Sequence, residues 1–97
     1  MKKILLIVDP QNDFCQGGSL EVPNSNEIFE GINKIMSKFD FVVASQDWHP
    51  KNHSSFISNS KEGIWPDHCV QNTKGAEFHE LLNQSNIHFI IRKGYNP

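Results

Sequence analysis

Three short apolar runs, at residues 4–8, 41–44 and 88–91, constrain the fold of this chain more than any other feature. Ile4-Leu5-Leu6-Ile7-Val8 is continuously apolar rather than alternating, the pattern of a strand covered on both faces in a parallel sheet. Phe41-Val42-Val43-Ala44 and His88-Phe89-Ile90-Ile91 read the same way. Between the first two lies a helical pattern from Asn24 to about Lys38. Ile28, Ile32, Ile35 and Met36 share one face of it, and Asn24 with Glu27 is spaced as a capping box. Residues 76–83 read as a second, short helix with Phe78, Leu81 and Leu82 inward. Strand, helix, strand, helix, strand predicts an α/β domain: a three-layer, mainly parallel sheet with right-handed crossovers and helices on both faces.

With 97 residues there is room for one domain only. The chain ends just past the third strand at Gly94-Tyr95-Asn96-Pro97, so no helix returns to cover that strand, and the expectation is a domain incomplete at its C-terminus. A net charge of −2, with no block of like charge, argues against nucleic acid or an anionic membrane surface as partner. The longest apolar run is too short to span a bilayer, and nothing resembles a cleavable leader, so a cytoplasmic protein is expected. Two cysteines are too few for a disulfide scaffold and suit a reducing compartment.

Each predicted strand leads into an ionisable residue: Asp9, Asp47 and Lys93. In open α/β sheets, ligands bind outside the carboxyl ends of the strands, and parallel strands bring these three residues to one edge. Asp47-Trp48-His49 adds chemistry there. On extended backbone, residues two apart point the same way, so the Asp47 carboxylate and the His49 imidazole share a face as a ready pair of metal ligands. His68 offers a third from the long segment 48–74, which is rich in Pro, Asn, Ser and Gly and lacks a clear period. An Asp/His/His set suits zinc, iron or manganese.

His49 and His53 are four apart, but Pro50 and the lack of an adjacent Glu speak against a helical zinc-protease pair. His53 is an extra ligand, a partner of a ligand or a solvated loop residue, and we read it as a non-ligand. His79, on the polar side of the short helix, and His88, at a strand start, are read as structural. Neither Cys15 nor Cys69 lies at a strand-to-helix turn where a helix N-terminus would activate a thiol, and neither is expected to be a nucleophile.

Asp9-Pro10-Gln11-Asn12-Asp13-Phe14 with Gly17-Gly18-Ser19-Leu20 opens a collinear series of motifs. Gln46-Asp47-Trp48-His49-Pro50 with His53 continues it, then Trp65-Pro66-Asp67-His68-Cys69-Val70-Gln71 with Gly75-Ala76-Glu77-Phe78, and finally Arg92-Lys93-Gly94. Together they resemble the nicotinamidase/pyrazinamidase branch of the isochorismatase-like hydrolases over nearly the whole chain. The resemblance implies a doubly wound α/β fold, of which residues 1–97 are the N-terminal part of a single domain. The implied activity is metal-dependent hydrolysis of nicotinamide, or pyrazinamide-like amides, to nicotinate and ammonia in NAD salvage.

By the same resemblance Asp9 is the general base and Lys93 stabilises a thiolate and orients Asp9. Asp47, His49 and His68 hold a divalent metal, zinc first and iron or manganese next, and Phe14 and Trp65 sandwich the substrate ring. The family's nucleophilic cysteine lies on a strand-to-helix turn downstream of the lysine, and no residue of this chain matches it. The competing expectation is a non-catalytic metal-binding or interaction fragment, with an apolar edge at residues 89–91 that joins a second copy or a complementing chain.

Overall fold

The computed structural model describes residues 1–97, in the order β1 (Ile4–Ile7), α1 (Ile28–Ile35), β2 (Phe41–Asp47) and β3 (Phe89–Lys93). The three strands form one parallel sheet in the order β1-β2-β3. β1 pairs with β2 from Ile4↔Phe41 to Ile7↔Ala44. On the other side of β2, β3 runs from Val43↔Phe89 to Asp47↔Lys93. The expected parallel α/β architecture is present, and β2 extends three residues past its apolar run because Ser45 and Gln46 are themselves buried.

The core lies on one face of the sheet. Leu5, Ile7, Val42 and Ala44 pack there against Phe29, Ile32 and Met36, with Cys15, Phe78 and Leu82 closing the cluster. Full burial of a side chain such as Phe29 contributes about 1.5–3 kcal/mol. Ile4, Leu6 and Val8, on the alternate positions of the first run, are exposed, as are Phe89, Ile90 and Ile91. Within these 97 residues the single α-helix therefore covers one face, and the opposite face and the β3 edge are open.

Two local expectations are corrected. Asn24 and Glu27 form no capping box: Asn24 is in the left-handed region (φ 60°) and its side chain caps nothing. A 3₁₀ turn, Ser25–Glu27, leads into α1 instead, and a second, Met36–Lys38, closes it. On α1, Phe29 is buried and Ile28 exposed, so Phe29 joins Ile32 and Met36 on the inner face and Ile28 lies at its edge.

Residues 76–83 form no α-helix. Their backbone pairs with the first loop: Asn12 N–H donates to Glu77 O (2.9 Å), His79 N–H donates to Pro10 O (2.9 Å), and Gln11 bridges antiparallel to Phe78. Phe78 and Leu82 are buried as expected, whereas Leu81 is exposed. His79, without a helix to sit on, stacks on Phe29 at 4.9 Å, and His88 accepts the Val42 N–H at Nδ1 (2.9 Å). Both are structural.

Candidate metal centre

The carboxyl ends of the strands gather the ionisable residues at one edge. Asp9 follows β1 at φ 49°, a left-handed conformation that a non-glycine residue adopts only when its surroundings hold it there. Ser45 does the holding: its Oγ accepts the Asp9 N–H (3.1 Å) and donates to Asp9 Oδ1 (2.7 Å). Lys93, at the end of β3, donates from Nζ to Asp9 Oδ2 (2.9 Å) and to Asp47 Oδ1. Burial works against the Lys93 charge, but the hydrogen bonds and charges of Asp47 and Asp9 outweigh it and raise the lysine pKa. One ammonium thus ties the ends of all three strands together.

Asp47 turns its other oxygen to the histidines, with Oδ2 3.5 Å from His49 Nε2. One donor atom each from Asp47, His49 and His68 lie within 4.8 Å of one another, and both imidazoles are buried. The outer ring nitrogens are already engaged: His49 Nδ1 with Gly94 O (2.7 Å) and His68 Nδ1 with Pro66 O (2.8 Å). A backbone carbonyl at Nδ1 fixes the tautomer with the proton there and leaves the Nε2 lone pair free, the usual arrangement of metal-ligating histidines. The donor set and its outer partners therefore fit a divalent cation.

His53 lies beside this cluster, its ring 4.1 Å from that of His49, and its Nδ1 pairs with Ser55 Oγ (2.7 Å). Burial first, then the neighbouring His49 and His68, lower its pKa, with Asp47 opposing. Phe56, fully buried, packs its ring edge-to-face against His49 and His68.

The expected ring-binding residues meet the same cluster. Phe14 and Trp65 line an open cavity of about 440 Å³ together with Leu20, Val22, Asp47 and His68. Phe14 approaches His68 at 5.7 Å between ring centroids. Asp9 lies outside this lining and faces a neighbouring apolar cavity that also touches Phe14. Lys93 connects the two by bonding to both carboxylates.

Both thiols are buried and protonated. Burial raises the Cys15 pKa. Burial, followed by the charges of Asp13, Asp47 and Asp9, pushes Cys69 up further against the opposing Lys93. Cys69 has a left-handed backbone (φ 50°), and its N–H donates to Asp13 Oδ2 (2.8 Å).

Residues that the sequence did not single out complete the edge. Gly94, at φ +67°, lets its carbonyl reach His49. Ser45 holds Asp9, Gln11 holds the Asp47 peptide, and Asp13 holds the turn after His68. Arg92 stacks over the Trp48 ring, 3.8 Å from its centroid. Of these, Gln11, Asp13, Arg92 and Gly94 stand in the motifs that carry the family resemblance, without a role read for them there, and Ser45 does not.

The parallel sheet thus carries an acid just past β1, an Asp/His/His cluster reached from the end of β2 and the loops after it, and a lysine at the end of β3. Residues 3–97 match the isochorismatase domain, and the chain belongs to that family. More particularly, its relatives are nicotinamidases and pyrazinamidases. The nicotinamidase of Escherichia coli (strain K12) is 43% identical over 112 residues, an alignment covering 98% of this chain and 53% of that protein. The pyrazinamidase of Pyrococcus horikoshii, solved in complex with zinc, superposes with a TM-score of 0.85 at 42% identity, covering 100% of this chain and 54% of that one. PnC1 from L. infantum, solved in complex with nicotinate, superposes at 0.92 with 44% identity, covering 98% of this chain and 48% of that one. The chain spans about half the length of the curated relatives it matches.

Proposed function

We propose that residues 1–97 are the N-terminal part of a single isochorismatase-like domain and supply the metal-binding and ring-binding part of a nicotinamidase-type site. The reaction is hydrolysis of nicotinamide, or a pyrazinamide-like aromatic amide, to the acid and ammonia. The observation that carries this reading is the convergence of Asp47, His49 and His68 donor atoms within 4.8 Å, beside a cavity walled by Phe14 and Trp65. The zinc in the Pyrococcus horikoshii relative and the nicotinate in the L. infantum relative support it.

Asp47, His49 and His68 would hold a divalent cation, zinc in the first instance, which would supply Lewis-acid chemistry to the bound substrate. Phe14 and Trp65 take the flat ring between them and keep water from its faces. Asp9 is the general base: it accepts the proton of an attacking thiol, passes a proton to the departing ammonia, and takes one from the water that releases the acid. Lys93 orients Asp9 through its bond to Oδ2 and stabilises negative charge on the thiolate.

The attacking sulfur comes from outside residues 1–97, since Cys15 and Cys69 are both buried with raised pKa values. One observation favours the competing reading of a metal-binding or interaction fragment: Ile4, Leu6 and Val8 on one face and Phe89, Ile90 and Ile91 on β3 are exposed. Zinc uptake measured alongside ammonia release from nicotinamide separates the two. Uptake with release establishes the hydrolase; uptake without release by the full chain establishes the fragment; no uptake removes the assigned ligands.

A further inference from the structure

We infer that Gln11 is a positioning residue for Asp47, its carboxamide standing in for the strand that β2 lacks at the metal centre. This rests on the metal reading above and adds to it the group that fixes the carboxylate's backbone.

β1 pairs with β2 only as far as Ile7↔Ala44, whereas β3 accompanies β2 to Asp47↔Lys93. Asp9 turns away at φ 49°, so the side of β2 facing β1 has no strand beside Asp47. Trp48 N–H donates to Lys93 O (2.9 Å) on the β3 side, and peptide groups alternate sides along a strand. The N–H and C=O of Asp47 therefore point at the gap. Gln11 fills it: Oε1 accepts the Asp47 N–H (2.9 Å) and Nε2 donates to Asp47 O (2.7 Å). The second Nε2 proton goes to Ala76 O (2.8 Å). Gln11 is 0% exposed, so no water can substitute for these bonds. The Asp47 N–H also fixes which end of the carboxamide is oxygen.

The consequence reaches the metal because Asp47 has two tasks, one oxygen on Lys93 and one toward His49. A carboxylate shared between two partners keeps that division only if its backbone stays put. His49 is pinned independently, its N–H on Cys69 O (2.9 Å) and its C=O accepting the Gln71 N–H (2.8 Å). Loosening Gln11 thus moves Asp47 relative to a fixed imidazole.

A neighbouring glutamine provides the control. Gln46 is also buried and donates from Nε2 to the same Ala76 O (2.9 Å), but its side chain has no bond to the Asp47 peptide. In the full chain, zinc affinity is measured by chelator competition for wild type, Gln11→Met and Gln46→Met, alongside melting temperature and deuterium exchange of the Asp47 amide. Gln11→Met is expected to weaken zinc binding about 10–100-fold, the usual cost of losing an outer partner of a metal ligand, and to speed Asp47 exchange. Gln46→Met is expected to lower the melting temperature comparably while leaving zinc affinity within about twofold.

Equal zinc losses in the two variants, or wild-type affinity in Gln11→Met, overturn the inference. If Gln11→Met does not fold, the wild-type amide still decides: exchange of Asp47 as slow as that of Val42 and Ala44 supports the inference, and exchange at loop rates overturns it. A wild-type chain that takes up no zinc overturns the metal reading instead, and the Asp47 exchange rate then decides whether Gln11 pins this peptide.

Discussion

Gly94 O lies 2.7 Å from His49 Nδ1, and a Cβ on Gly94 would sit 2.6 Å from the His49 ring. The same glycine fixes the tautomer of a proposed ligand and leaves the space its imidazole occupies. Its φ of +67° adds a conformational demand that other residues meet only at a cost of about 1–3 kcal/mol. Gly94→Ala should therefore lower stability by at least that amount and weaken zinc binding tenfold or more, because the His49 ring must move to admit the methyl group. Calorimetry and a zinc titration on the same sample check this; an alanine variant with wild-type zinc affinity removes Gly94 as the partner of His49.

Lys93 is shared between Asp9 and Asp47, its Nζ bonded to one oxygen of each carboxylate. Replacing it by methionine removes the shared hydrogen-bond donor of both carboxylates. The wild-type lysine has a raised pKa, so its stabilising effect is complete below the ordinary lysine value of about 10.4 and lost as pH rises through the folded value. Lys93→Met should accordingly lack that alkaline loss, which denaturant unfolding followed across alkaline pH checks; a pH profile unchanged by the substitution contradicts the bridging role.

The sequence made the sheet and its chemistry legible for one physical reason: each strand of a parallel sheet is a run of apolar residues, and ionisable residues mark its carboxyl end. Asp9, Asp47 and Lys93 were found that way, and the register that brings them together followed from parallel order. The i, i+2 rule placed Asp47 with His49, and His68 joined them from the long loop.

What sequence reasoning lost were the groups that act through backbone. Gln11 stands in the first motif, but its role shows only once β1 is seen to end before Asp47 does. Residues 76–83 have helical spacing of Phe78 and Leu82, yet the peptides of Glu77 and His79 bond to Pro10 and Asn12 across a long sequence gap. Local pattern carries no record of such pairing. Ile28 was misplaced because it lies at the edge of the apolar face, on which Phe29, Ile32 and Met36 sit closer to the core.

Zinc should stabilise the wild-type fold, because Asp47, His49 and His68 come together only in the folded state. At a free concentration a hundredfold above the dissociation constant, linkage gives about 2.7 kcal/mol and a measurable rise in melting temperature. His68→Ala should lose most of that rise: His68 comes from the loop and contributes one of three donors, and its Nδ1 is already committed to Pro66 O. A scan with zinc and with a chelator, for both proteins, gives the comparison. A zinc-dependent shift that survives intact in His68→Ala takes His68 out of the ligand set.

Neither thiol of this chain should behave as a nucleophile. Cys15 and Cys69 are buried, and their pKa values are raised, by burial in both cases and in Cys69 also by the charges of Asp13, Asp47 and Asp9. The thiolate is the reactive form, so iodoacetamide at pH 7 should leave the native protein unlabelled and add two groups in denaturant. The same shift has a signed effect on stability. Above the ordinary thiol pKa of about 8.5 the folded chain holds more protons than the unfolded one, so the free energy of unfolding should fall as pH climbs past that value. Cys69→Ala should flatten this decline. Fast labelling of native Cys69 at pH 7, with loss of amide hydrolysis in the labelled protein, would make Cys69 the attacking sulfur and overturn the assignment of that role to a thiol outside residues 1–97.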